Sequence, residues 1–192
     1  MLHHSAQSGR HEDAVRGLDC YSTPAVAIDA LRTVETLAHR IWEPAAGRGN
    51  IVRVLRAAGH VVIASDIIHY DFPLEFEADF LKRTQAPPGT ELILTNPPYK
   101  RATEFVEQAL ELCPRVIMLC RLAFLESERR SDILDSGALA AVHVFRNRLP
   151  MMHRDNWTGP RAGNAMPFAW LVWDRNHTGP DVNFERISWV SE

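Results

Sequence analysis

The stretch from Arg40 to Asp66 constrains the fold of this chain more than any other. Arg40-Ile41-Trp42-Glu43-Pro44-Ala45-Ala46-Gly47-Arg48-Gly49-Asn50 reads as a short strand running into a glycine turn. Ile51 to Gly59 follows with helical spacing and a glycine at the C-cap position. Val61-Val62-Ile63-Ala64-Ser65-Asp66 is then a second buried strand ending in an acid. Strand, glycine turn, helix, strand and acid make the layout of a nucleotide-type cofactor site. Glycines let the backbone approach a ligand, and an acid about 20 residues on can hold ribose hydroxyls. The loop is Gly-Arg-Gly-Asn, short of the full dinucleotide fingerprint, which disfavours a pyrophosphate. S-adenosylmethionine, with a ribose and an adenine but no phosphate, fits better. Gly47 and Gly49 alone also suit an ordinary strand-to-helix turn. Their order with Glu43, Asp66 and the next motif decides for the cofactor.

That motif is Asn96-Pro97-Pro98-Tyr99, placed directly after the apolar run Leu92-Ile93-Leu94-Thr95. It suits the methylation of a planar amine. An adenine-type amine is a poor nucleophile because its lone pair is delocalised into the ring. If the Asn96 side-chain oxygen and the Pro97 carbonyl accept its hydrogens, electron density turns towards an electrophile. Pro97 and Pro98 fix φ and remove backbone donors, and Asn96, preceding a proline, is restricted as well. Tyr99 offers a flat face for an extruded base, worth roughly 1–3 kcal/mol. A Pro-Pro turn closing a strand is the bland alternative, so the motif draws its weight from the cofactor layout upstream.

The rest of the chain alternates. A helix is expected over 24–39, a turn at 85–90, a helix over 102–112 with Phe105, Val106, Ala109 and Leu110 inward, and a strand over 116–120. A short helix over 127–136 and a strand over 140–145 follow, then strands over 168–173 and 187–190. Such alternation predicts an α/β, doubly wound, mostly parallel sheet with helices on both faces. The carboxyl ends of its strands would bring Glu43, Asp66, Asp79 and Asn96 to one edge.

With 192 residues, 46% of them hydrophobic, the chain has material for one well-buried domain. Residues 1–19 are polar and read as a flexible leader without a signal-peptide core, and no apolar run reaches membrane-span length. Cys20, Cys113 and Cys120 lack Cys-x-x-Cys spacing and read as reduced thiols of a cytoplasmic protein. The scattered histidines reach no metal-ligand pattern, and no metal is expected. Trp42, Trp170 and Trp173 read as core aromatics.

Net charge is −3, which is unusual for a nucleic-acid binder. Its distribution is uneven, however. Within 140–165, Arg146, Arg148, Arg154 and Arg161 face Asp155 alone. An insertion over about 147–167 also carries Trp157, and loops of such length are usually functional. Its arginines suit phosphates, and Lys100 and Arg101, just after the Asn-Pro-Pro-Tyr unit, flank the same entrance. Trp157 or Met151-Met152 would serve to fill the gap left by a flipped base or to wall its pocket. Incidental surface arginines are the alternative.

From about Tyr21 to Trp189 the sequence resembles the class I S-adenosylmethionine-dependent amino-methyltransferases, specifically the small phage- and prophage-type N6-adenine DNA methyltransferases. The motifs that carry the resemblance are Tyr21-Ser22-Thr23-Pro24, Glu43 to Gly49, Asp66, Asp79-Phe80-Leu81, Asn96 to Tyr99 and Phe168 to Asp174. It implies a Rossmann-like, seven-stranded sheet. Tyr21, Thr23 and Pro24 would contact the methionine end of the cofactor. Glu43, Pro44, Ala45, Gly47 and Gly49 would form its loop, and Asp66 with Ile67 would hold the ribose. Asp79 would bond the adenine with Phe80 packed beside it. Arg48 departs from the small or acidic residue of many relatives. The resemblance implies methyl transfer to adenine in DNA, by a monomer or homodimer. RNA bases, protein glutamine, or a non-catalytic nucleic-acid-binding role remain as rivals.

Overall fold

The computed structural model describes residues 22–151, 166–177 and 179–190. Its strands are β1 (Arg40–Glu43), β2 (Val61–Asp66), β3 (Phe76–Glu77), β4 (Leu92–Thr95), β5 (Arg115–Arg121), β6 (Leu139–Phe145), β7 (Phe168–Asp174) and β8 (Asn183–Ile187). Its α-helices are α1 (Ala25–Arg32), α2 (Asn50–Ala57), α3 (Ala102–Leu112) and α4 (Ser131–Leu134). The strands form one sheet in the order β3-β2-β1-β4-β5-β7-β6-β8. β7 runs antiparallel to both neighbours, and every other pairing is parallel.

Side chains along a strand alternate between faces, and the apolar runs fill both. Ile41, Leu92, Leu94, Ile117, Leu119, Trp170 and Val172 meet Ile28 and Leu31 of α1 and Val52 and Leu55 of α2. Trp42, Ile93, Val116, Met118, Leu171 and Trp173 face Phe105, Val106 and Ala109 of α3 and Ile133 of α4. The three tryptophans expected in the core are fully buried and tether its layers through their indole N–H groups. Trp42 donates to Ser65 Oγ (2.9 Å), Trp170 to the Ala27 carbonyl (2.9 Å) and Trp173 to the Ile133 carbonyl (3.0 Å). Cys113 and Cys120 are buried free thiols, and burial pushes both up from the usual thiol range. Cys20 and the expected leader lie outside the described residues. No helix among the described residues is long and apolar enough to cross a membrane.

Three expectations need correction. The first helix ends at Arg32 instead of residue 39. Glu35 is drawn off by Arg115 (2.6 Å) and by His143 Nε2 (2.7 Å), and these tertiary contacts override local helix propensity. Among the described residues the sheet has eight strands, not seven, because β8 adds an edge beside β6. That last strand spans Asn183–Ile187 and is exposed at all but Ile187, so it carries no apolar period for the sequence to display.

Strand order reverses between β1 and β4, so the crevice forms at their carboxyl ends. Glu43 ends β1, Asp66 ends β2, and Asn96 follows β4.

Candidate cofactor and amine site

The glycine loop is held by backbone bonds. Ala46 N–H donates to the Ser65 carbonyl (3.0 Å), and Gly49 N–H donates to the Ala46 carbonyl (2.7 Å). Gly49 has φ +74, and a Cβ built there would lie 2.2 Å from the Phe72 ring. Only glycine satisfies both the left-handed backbone and that close approach.

Asp66 fastens this loop to β2. Its Oδ2 accepts from Gly47 N–H (2.8 Å) and its Oδ1 from Ile68 N–H (3.1 Å). Burial raises its carboxyl above the usual range, while the N–H groups of Gly47, Ile68 and Ile67 oppose that shift. Glu43 lies deeper and fully buried, its Oε1 accepting from Ala45 N–H at 3.2 Å. Burial pushes its carboxyl up to about 8; the Thr95 hydroxyl and Ala45 N–H pull it down, and the Asp66 charge adds to the rise. At neutral pH Glu43 is therefore chiefly neutral, a buried support under the loop.

On the β4 side, Asn96 Nδ2 donates to Thr23 Oγ1 (3.0 Å), and Asn50 Nδ2 donates to the Thr23 carbonyl (3.3 Å). Thr23, 3% exposed, thus links the Asn-Pro-Pro-Tyr unit to the start of α2. With its nitrogen turned to Thr23, the Asn96 amide is oriented by a neighbour from the far end of the sequence. Pro97 is buried, and Tyr99 opens a 3-10 turn, Tyr99–Arg101, that leads into α3. The Tyr99 ring packs on Phe168 at 5.6 Å, and the Arg121 guanidinium lies 4.4 Å over it.

These segments surround a cavity of about 280 Å³. Of the residues expected at the site, Thr23, Pro44, Ala45, Gly47, Asp66 and Ile67 line it, as do Asp79, Phe80, Asn96, Pro98, Lys100 and Arg101. Asp79 caps a 3-10 turn, its Oδ1 accepting from Leu81 N–H (3.2 Å), and Phe80 packs edge-to-face with Trp42 (5.2 Å) and tilted against Phe105 (4.9 Å). Pro24, Glu43, Gly49, Pro97 and Tyr99 stand behind the wall or beside it. Lys100 and Arg101 are exposed at the rim, with Arg101 3.5 Å from Glu104. Arg146 and Arg148 are exposed at the end of β6 and line no part of this cavity. Met151 is buried in the core layer beneath α1 and α2, which makes it a packing residue. Tyr21, Met152, Arg154, Trp157 and Arg161 lie outside the described residues.

Ser22, Arg48, Asn50, Ile51, Tyr70 and Phe105 also line the cavity and carried no expected role. Asn50 directly follows Gly-Arg-Gly, so its position was open to inference from the loop. Tyr70 lies in an irregular stretch with no periodic signal. Among the described residues, no group of three or more His, Cys, Asp or Glu is placed to hold a metal ion.

No family model and no curated protein matches this chain. Solved structures do. A Pyrococcus horikoshii protein assigned as an RNA methyltransferase matches with TM-score 0.59 at 13% identity, over 82% of this chain and 87% of that one. The assigned modification subunit of a type I restriction enzyme from Vibrio vulnificus YJ016 matches with TM-score 0.59 at 13% identity, over 90% of this chain and 48% of that one. The 23S rRNA methyltransferase ErmE matches with TM-score 0.53 at 17% identity, over 81% and 69%. The chain has the Rossmann-like fold of these methyltransferases.

Proposed function

We propose that this protein transfers a methyl group from S-adenosylmethionine to the exocyclic amine of adenine in DNA. The observation that carries the reading is the joining of Asn96 and Pro98, with Pro97 buried between them, to the glycine loop, Asp66 and Asp79 around one cavity. The wall suits a nucleoside: acids at Asp66 and Asp79, and apolar side chains from Ala45, Ile67, Phe80 and Phe105. Asp66 and Ile67 would meet the ribose, Asp79 and Phe80 the adenine, and Thr23 with the Gly47 loop the amino-acid end. When bound, this cofactor supplies an electrophilic methyl group on a sulfonium.

The chain's own part is to make the amine attack. The Asn96 side-chain oxygen and the Pro97 carbonyl accept its two hydrogens, drawing nitrogen density out of the ring. Thr23 holds the Asn96 amide in place, so little reorganisation accompanies the reaction. Tyr99 supports the base, and Lys100 and Arg101 meet the flanking phosphates. No side chain is needed as general base, because the methylated ammonium is strongly acidic and loses its proton to solvent. An RNA base is the second reading, favoured by the RNA substrates of two of the fold neighbours.

Transfer of labelled methyl to unmethylated duplex DNA, single-stranded DNA and RNA, beside an Asn96→Ala control, tests this. Label on DNA adenine that the control abolishes is the expected result. Label on RNA alone keeps the chemistry and changes the substrate. No label on any of them overturns the reading in favour of glutamine methylation or a non-catalytic role.

A further inference from the structure

Arg121 is the last residue of β5, the strand beside β4. Thr95 is in register with Met118, so Arg121 stands three residues further on, next to the Asn96 motif. Its guanidinium covers the Tyr99 ring at 4.4 Å, while Phe168, its partner in the β5–β7 register, packs on the same ring. Phe168 is 4% exposed and fixed in β7, whereas Arg121 is half-buried on a long stem. Its Nε atom is buried and has no hydrogen-bond partner among the described residues. A charged donor left unmet in a buried position is costly, and an acceptor delivered by a ligand relieves that cost.

We propose that Arg121 is a substrate contact: with Tyr99 it forms the slot for the target base, and it donates to an acceptor atom of that nucleotide. The proposal rests on the site being a nucleic-acid methyltransferase site. A planar guanidinium stacks on a base as well as on tyrosine, and its fork matches both phosphate oxygens and acceptors on a base edge. Arg83 supplies the contrast. It also lies over an aromatic ring, Phe76 at 5.3 Å, with a buried unpartnered Nε, and neither arginine lines the cavity itself. The distinction of Arg121 is its place on the Asn-Pro-Pro-Tyr tyrosine.

The test compares the full chain with Arg121→Ala, Arg121→Met, Arg121→Lys and Arg83→Ala. Binding of a labelled adenine-containing single-stranded DNA is measured across a salt series, beside S-adenosylmethionine affinity and thermal stability. Loss of Arg121 is expected to weaken oligonucleotide binding about tenfold or more, with cofactor affinity within about twofold and no fall in melting temperature. Lysine restores part of the binding, and Arg83→Ala leaves it unchanged. A salt slope smaller by about one assigns the acceptor to a phosphate, and an unchanged slope assigns it to the base. Methionine keeps the stem packed, so it reads the same loss if alanine fails to fold. Unchanged oligonucleotide binding with a lower melting temperature, in a wild type that transfers methyl, makes Arg121 a structural clamp and overturns this inference alone. A wild type that transfers no methyl and binds no oligonucleotide overturns the methyltransferase reading with it.

Discussion

The two walls of the cavity are built from different parts of the chain. The glycine-loop wall is made of backbone: Ala46 on Ser65, Gly47 on Asp66, and Gly49 held left-handed against Phe72. The wall on the other side is made of side chains, Lys100 and Arg101 exposed at the rim and, beside the cavity, Arg121 and Phe168 on the Tyr99 ring. A preset backbone can match a ligand of constant shape and cannot adjust to another. Side chains on long stems can rearrange for a nucleotide drawn out of a polymer. On the proposed reading, rigidity falls where the partner is always the same, and adaptability where it varies.

Asn96 sits where the two walls meet, and its loss has the largest expected effect. Asn96→Ala lowers the rate of methyl transfer by about 10²–10³-fold, the range for removing one preorganised polar contact. Single-turnover transfer measures it, and calorimetry should show cofactor affinity changed by only a few-fold. A collapse of cofactor affinity instead would move Asn96 wholly into the rigid wall.

Gly49→Ala tests whether that wall is as unforgiving as its geometry. The left-handed backbone and the clash with Phe72 each carry about 1–3 kcal/mol, so a loss of about 2–6 kcal/mol in unfolding free energy is expected. Adding Phe72→Ala relieves the clash and leaves the backbone strain, so the double variant is predicted to recover the clash term less the cost of the lost Phe72 packing. Urea midpoints of the two variants separate the terms.

The same contrast explains what could be read in advance. Strand ends, the glycine loop and Asn96-Pro97-Pro98-Tyr99 were legible because backbone constraints demand particular residue types in a particular order. Pro44, Ala45, Asp66 and Asn96, all expected at the site, line the cavity for that reason. Glu43 was expected at the cofactor and lies beneath the loop, since sequence spacing gives the strand end and not the depth of a side chain. Arg121 carried no signal: an arginine closing an apolar strand looks like any strand end until Tyr99 is seen beneath it. The shortened first helix and the edge strand β8 share this cause, because a tertiary ion pair and an exposed strand leave no periodic trace.

Glu43 gives the rigid wall a pH dependence. Unfolded, its carboxyl ionises near 4.5; folded, burial pushes it up to about 8. The folded state therefore holds the proton more tightly, and the stability this confers is complete below about pH 4.5. It is lost as pH rises through about 8, with a slope of up to about 1.4 kcal/mol per pH unit. Glu43→Gln keeps an acceptor for Ala45 N–H without the charge. Its stability should decline less than wild type between pH 5 and 9, with Asp66, also raised by burial, supplying the slope that remains. Parallel curves for the two proteins would show that water reaches Glu43 and that this wall is looser than its hydrogen bonds indicate.

The smallest expected effect tests the adaptable wall at its rim. Lys100 is exposed and lines the cavity beside Arg101, so a phosphate contact there works through screened charge. Lys100→Ala should raise KM for nucleic acid by about two- to fivefold at moderate salt and leave cofactor affinity unchanged. One lost phosphate contact also reduces the steepness of log KM against log salt by about 0.9. The slope is the sharper reading, because a shift in KM alone could come from altered packing at the start of α3. If KM rises with the slope intact, Lys100 shapes the rim without touching phosphate, and the polymer is gripped elsewhere on the side-chain wall.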